Sequence, residues 1–219
     1  DPEQGRIEDS LTLHAPEDAL VSLALDWQFG DGEHDWIYTW TAGTCRLTRH
    51  SIQLEPLALR DEVVLLDYGC VPDGGLHGGD LMWWDAEYPE PLLYLSMGPP
   101  EGAVSPQDAD AAGHRLLAYR IDRVSGALYP AFKNSDIHPG TAATGLGQPW
   151  RITACGDGLC LTDSGGEQYE EINRYTGQGL NFGFDDVEGE SGSEDHVDPL
   201  HSWRGDDDAH VEEDRDGPG

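Results

Sequence analysis

Val21-Ser22-Leu23-Ala24-Leu25-Asp26-Trp27-Gln28-Phe29 alternates an apolar residue with a small or polar one at every step. That is the period of a half-buried β-strand rather than the 3.6-residue period of a helix. The stretch runs into Gly30-Asp31-Gly32-Glu33-His34-Asp35, a turn by composition, and leaves it as Trp36-Ile37-Tyr38-Thr39-Trp40, which is rich in aromatic and β-branched residues. The two segments read as a hairpin.

The same reading extends outward to Thr44–Arg49, Ser51–Leu54, Glu62–Tyr68, Leu81–Trp84, Leu92–Met97, Arg115–Arg123, Leu128–Phe132, Trp150–Ala154, Leu159–Thr162 and Tyr169–Tyr175. Ser125-Gly126 closes a second hairpin. Gly, Pro and Asp punctuate the segments, and the stretch Gly140 to Gly147 reads as a linker. Only Ser105 to Ala112 suggests a helix, through an N-cap serine and a first-turn proline. The pattern predicts a mainly β protein, an antiparallel β-sandwich or barrel with short connecting loops and at most one short helix. A propeller would show a repeat of about forty residues, and none stands out.

From Asp185 onward the composition shifts to fourteen acids and two arginines with few apolar residues. Such a segment buries too little to offset its ordering entropy. The expected organisation is therefore a disulfide-stapled β domain over 1–184 and an acidic, flexible tail over 185–219. Within that tail Leu200 and Trp203 form an apolar island suited to docking on a protein partner or on a neighbouring subunit.

Forty-three Asp and Glu stand against twelve basic residues, of which eleven are Arg and one is Lys133, giving a formal charge of -31. A surface so acidic repels nucleic acid and anionic lipid, so those partners are excluded. Acid excess with almost no lysine suits a halophilic protein in strong salt. High-GC coding combined with an acidic tail gives the same balance. No run of about eighteen apolar residues exists to span a membrane. The start at Asp1 rather than Met implies a removed leader or a trimmed chain.

Four cysteines form two spaced pairs, Cys45 with Cys70 and Cys155 with Cys160, and are read as two disulfides. Disulfides place the protein outside the cytoplasm: extracellular, at the cell surface or periplasmic. A four-cysteine zinc site would need close spacing in both pairs, and the first pair is too wide.

Three groups of residues offer chemistry. Trp83-Trp84-Asp85-Ala86-Glu87-Tyr88 mixes aromatic faces with acids. Trp83, Trp84 and Tyr88 could stack on a glycan, and Asp85 with Glu87 could serve as the acid and base of a glycoside hydrolase. The same residues also fit a strand end followed by a solvated turn. Asp31, Glu33 and Asp35 place oxygen donors at alternate positions of a glycine-containing turn, as in the first half of a calcium loop, but lack the glutamate that would complete one. Asp185, Asp186, Glu188 and Glu190 form a weaker second cluster. No nucleophile elbow, zinc-protease helix, phosphate loop or dinucleotide fingerprint appears in the sequence. The function expected from these features is binding or assembly, as a subunit of an extracellular structure or an inhibitor-like module; the alternative is a carbohydrate-active hydrolase with carboxylate catalysis.

Overall fold

The computed structural model describes residues 20–41, 43–68, 79–85, 89–98, 115–132, 139–164, 169–184 and 187–204. The protein is mainly β, as the alternation predicts, and among the described residues there is no helix and no closed barrel. Among the described residues no helix is long and apolar enough to cross a membrane. The short helix expected at Ser105–Ala112 lies outside the described residues.

Among the described residues the strands fall into three sheets, taken in chain order except that β13 returns to the central one. The first is an antiparallel meander of β1 (Leu20–Leu25), β2 (Trp36–Thr41), β3 (Arg46–Leu54) and β4 (Leu57–Asp67), hydrogen-bonded in that order. The central sheet has the order β13 (Leu180–Asn181), β9 (Thr141–Thr144), β7 (Arg115–Ile121), β6 (Leu92–Met97), β5 (Asp80–Trp84), with β8 (Leu128–Pro130) also pairing with β7. The third runs β10 (Gln148–Cys155), β11 (Gly158–Ser164), β12 (Tyr169–Tyr175), β14 (His201–Arg204). Backbones of neighbouring sheets approach one another where β5 meets β1, β2 and β10, and where β10 meets β6. The stack is therefore tightest along the inner strands and fans open toward its outer ones.

The central sheet is buried on both faces, which explains why every residue of β6 is buried and all but Ser96 are apolar or aromatic. Leu92 and Tyr94 of β6, with Leu116 and Ala118 of β7, pack with Ile152, Leu159, Leu161 and Tyr175 of the third sheet. Their alternate neighbours Leu93, Leu95, Met97, Leu117, Tyr119 and Ile121 pack with Tyr38, Trp40 and Leu47 of the first. Each fully buried leucine contributes roughly 2 kcal/mol of transfer free energy, so these two seams hold the sheets together.

Strand β1 reverses the face its sequence suggests. Leu23 and Leu25 are about half exposed, while Ser22 and Asp26 are buried. The reason is polar: Ser22 bonds Asp80 of the central sheet, and Asp26 is gripped by Arg123. The expected linker at Gly140–Gly147 contains β9, whose small residues Ala142 and Ala143 let the backbone enter the core fully buried. Ser51–Leu54 is not a separate strand but the second half of β3. In the segment from Asp185, residues 187–204 are described, and β14 pairs antiparallel with β12.

Candidate functional site

Asp80 is the point at which the three sheets meet. It opens β5 directly after Gly79, and its carboxylate is almost wholly enclosed. Oδ1 accepts the hydroxyl of Ser22 at 2.5 Å and the amide of Leu81 at 3.0 Å, and Oδ2 accepts the amide of Ile152 on β10 at 2.9 Å. The amide of Asp80 itself donates to the Ser96 hydroxyl at 3.0 Å. Gly79 donates to the carbonyl of Pro149 at 2.7 Å and has φ +119°, where a Cβ would meet the Ser96 carbonyl at 2.7 Å. Only glycine fits there. Next to Asp80 lies Arg151 of β10, with Nη1 3.7 Å from Oδ1 and a side chain that is 66% exposed. The inner edge thus presents one accessible guanidinium beside a carboxylate that backbone and hydroxyl donors already occupy.

A second polar cluster lies where the β1–β2 loop faces the turn between β7 and β8. Asp26 takes both prongs of Arg123 and also the hydroxyl of Tyr38 at 2.9 Å. The Arg123 guanidinium lies 5.3 Å from the ring centres of both Trp27 and Trp36, and that of Arg49 lies 4.3 Å from Trp36. Burial, then the charge of Asp26, pushes the Tyr38 phenol well above its usual range. In the same loop Asp31 Oδ1 accepts the amides of Glu33 and His34, each at 2.7 Å, and Oδ2 pairs with His34 Nδ1 at 2.7 Å. The hydrogen bond from His34 holds Asp31 down to about 2, and the same contact raises His34. Asp35 accepts the amide of Gly30.

Both oxygens of Asp31 and one oxygen of Asp35 thus help to close their own loop. Among the described residues no group of three or more His, Cys, Asp or Glu is gathered as a metal site. Of the weaker acidic cluster, Glu188 accepts the amide of Tyr169 at 3.2 Å, and Asp185 and Asp186 lie outside the described residues.

Trp83 and Trp84 are brought to opposite faces of β5. Trp83 packs edge-on against Tyr38 in the seam with the first sheet, and Trp84 against Tyr94 and Tyr175 in the seam with the third. They do not form one stacking platform. Asp85 is exposed at the end of β5, and Glu87 and Tyr88 lie outside the described residues.

Cys155 and Cys160 form a disulfide across the β10–β11 hairpin, with Cα atoms 5.7 Å apart. Cys45 is buried and disulfide-bonded. Its expected partner Cys70 lies outside the described residues. Leu200 and Trp203 are 60% and 42% exposed, Trp203 on the edge strand β14, where His201 stacks on it at 5.7 Å between ring centres.

Sequence reasoning missed Asp80, Arg151 and the buried acid Asp163. Asp163 stands opposite Glu171 in the β11–β12 register and accepts the Gly147 amide at 2.8 Å. Desolvation, reinforced by the charges of Glu171 and Glu170, pushes its carboxyl up to about 8. The one signal available for Asp80 was the glycine pair Gly78-Gly79 before it, the mark of a close backbone approach at a strand start.

No protein-family model and no curated protein sequence matches the chain. Solved structures do. The PQQ-bound aldose sugar dehydrogenase of Streptomyces coelicolor is 20% identical, with a TM-score of 0.69 over 86% of this chain and 54% of its own. A glucose dehydrogenase described as a putative oxidoreductase of Thermus thermophilus is 24% identical, with a TM-score of 0.67 over 87% of this chain and 59% of its own. A calcium structure of a Trichoderma reesei carbohydrate-active enzyme of family AA12 is 13% identical, with a TM-score of 0.51 over 75% of this chain and 43% of its own. The chain thus spans a little over half the length of the dehydrogenases whose fold it shares. This likeness overturns the expectation of a binding or assembly module and lends no support to the hydrolase alternative with Asp85 and Glu87. The structures that share the fold are named as sugar and glucose dehydrogenases, and the tryptophans that suggested a glycan platform are inter-sheet packing.

Proposed function

We propose that this chain is part of an oxidoreductase that oxidises a sugar, most simply an aldose, with a quinone cofactor. The observation that carries the reading is the shared fold with an aldose sugar dehydrogenase over 86% of the chain. The inner edge of the stack, where β1, β5 and β10 converge, is the place the reading assigns to the reaction.

The cofactor of the Streptomyces structure, PQQ, is a quinone that bears carboxylates and accepts two electrons from a hydroxyl-bearing carbon. A chain of charge -31 has few groups able to hold such an anion. The exposed guanidinium of Arg151 fits that task, since a planar fork of N–H donors matches a carboxylate. Asp80 would keep Arg151 at the inner edge, and Gly79 leaves room for the strands to meet there. Calcium, present in the AA12 structure, belongs to the same reading. An extracytoplasmic location accompanies it and is supported by the Cys155–Cys160 disulfide.

The test is direct. The chain is incubated with PQQ and calcium in molar salt, and a panel of aldoses is offered with a dye as final electron acceptor. Aldose-dependent bleaching that needs PQQ is the expected result. Failure of the folded chain to bind PQQ, read by titration, together with absence of turnover across the panel, overturns the reading.

A further inference from the structure

We infer that His34 is a proton-released clasp between the β1–β2 loop and the turn joining β7 to β8: its imidazolium form holds both, and loss of one proton frees the turn. The inference goes beyond the oxidoreductase reading and does not rest on it.

One ring meets two acceptors. His34 Nδ1 lies 2.7 Å from Asp31 Oδ2 within the loop, and Nε2 lies 3.0 Å from the carbonyl oxygen of Arg123, 89 residues along the chain. Neither an ionised carboxylate nor a carbonyl can donate, and a neutral imidazole carries a single N–H. Both contacts are therefore hydrogen bonds only when the ring is doubly protonated. The side chain is 12% exposed and packs edge-on against Trp36, so little water reaches it to replace a lost partner. Loss of a proton leaves one N–H, which stays on Nδ1, because the bond to a charged acceptor is the stronger. The Nε2 lone pair then faces the Arg123 carbonyl oxygen, and that contact turns repulsive. What fails is the contact between sheets rather than the one inside the loop.

The charges around the ring set the sign. Asp31 favours the imidazolium, whereas the Arg123 guanidinium opposes it and is itself paired with Asp26. Arg49 of β3 stands over Trp36, Asp122 accepts the amides of Val124 and Ser125, Asp35 accepts that of Gly30, and Glu33 is exposed. The hydrogen bond to Asp31 prevails over burial and holds the ring above its ordinary 6.5. The clasp is accordingly closed in full below about pH 6.5 and opens as pH rises through the folded value. The Asp26–Arg123 bridge does not involve the ring, so the loop stays pinned at its β1 end while its His34 end is released. Both oxygens of Asp31 are engaged by His34 and by the Glu33 and His34 amides, so the turn is a hydrogen-bonded unit rather than a cation loop.

Asp31→Asn isolates the proton. The new amide oxygen can still accept the Glu33 and His34 amides, and its Nδ2–H can donate to Nδ1, which lets a neutral ring give its one N–H to the Arg123 carbonyl. Wild type, Asp31→Asn and His34→Ala are compared by NMR from about pH 5 to pH 9, at constant salt with a chelator present. The ring signals missing from His34→Ala assign His34 among the nine histidines. In wild type, His34 should titrate above 6.5. Exchange protection of the Phe29, Asp31, Glu33 and His34 amides should fall about tenfold across that titration. In Asp31→Asn the ring should titrate lower and the protection should persist at high pH, and in His34→Ala protection should be low throughout. A wild-type titration at or below 6.5, protection that ignores it, or the same loss at high pH in Asp31→Asn overturns the proposal. So does a shift of the titration on adding calcium, which would make Asp31 a cation ligand.

Discussion

Arg123 grips Asp26 with both prongs of its guanidinium, Nη1 to Oδ2 at 2.9 Å and Nη2 to Oδ1 at 2.8 Å, across 97 residues of chain. The pair joins the turn after β7 to the end of β1, and the Asp26 side chain is fully enclosed. Removing one partner strands the other. Asp26→Ala, which also deprives the Tyr38 hydroxyl of its acceptor, should cost about 3 kcal/mol in urea denaturation, and Arg123→Ala a comparable amount. The double variant should lose clearly less than the sum, because the penalty of an orphaned charge is then absent. Strict additivity would show that the two residues act independently.

Asp163 sets a pH dependence opposite to that of a salt-bridged acid. Its folded value of about 8 lies above the ordinary 3.8, so its contribution to stability is fully present below about pH 4 and is lost as pH rises toward 8. Asp163→Asn keeps an acceptor for the Gly147 amide and cannot ionise. The stability of this variant relative to wild type should therefore climb between pH 4 and pH 8 and level off beyond, by an amount on the order of a few kcal/mol. Parallel stability curves for the two proteins over that range would refute the assignment.

The Cys155–Cys160 disulfide closes a short hairpin, so its contribution is modest. Replacing both cysteines with serine should lower stability by roughly 2 kcal/mol while the β-rich circular dichroism spectrum is retained. Alkylation of the intact chain under denaturing conditions should find no free thiol. A reactive thiol at Cys155 or Cys160 would contradict the structure.

The charge of -31 makes the folded state repel itself in dilute buffer. Screening becomes effective over a few tenths molar, as the Debye length falls below about 6 Å. The melting temperature should rise steeply over that range and more slowly toward molar salt. A flat or falling profile would mean that the acids are not a folding burden.

Legibility in the sequence followed the physics of each element. The hairpin of β1 and β2, the largely apolar β6 and the cysteine pair in β10 and β11 were readable because alternation, burial and spacing are local. Strand β9 was not, since Thr141 to Thr144 carries no large apolar residue and becomes a strand because β7 and β13 lie on either side of it. The outward face of Leu23 and Leu25 was equally hidden, being decided by partners of Ser22 and Asp26 far along the chain. The candidate site suffered most. Trp83 and Trp84 were visible but belong to two different seams, whereas Asp80 and Arg151 look like ordinary loop and strand residues until the sheets converge.

That convergence makes Asp80 a proofreading device for assembly. Its acceptors answer to Ser22, 58 residues before it, and to Ile152, 72 residues after it. An intermediate that seats the central sheet against only one neighbour leaves an enclosed carboxylate short of donors, which is costly. A single side chain thus joins the central sheet to both of its neighbours, so loss of either contact is felt at both seams.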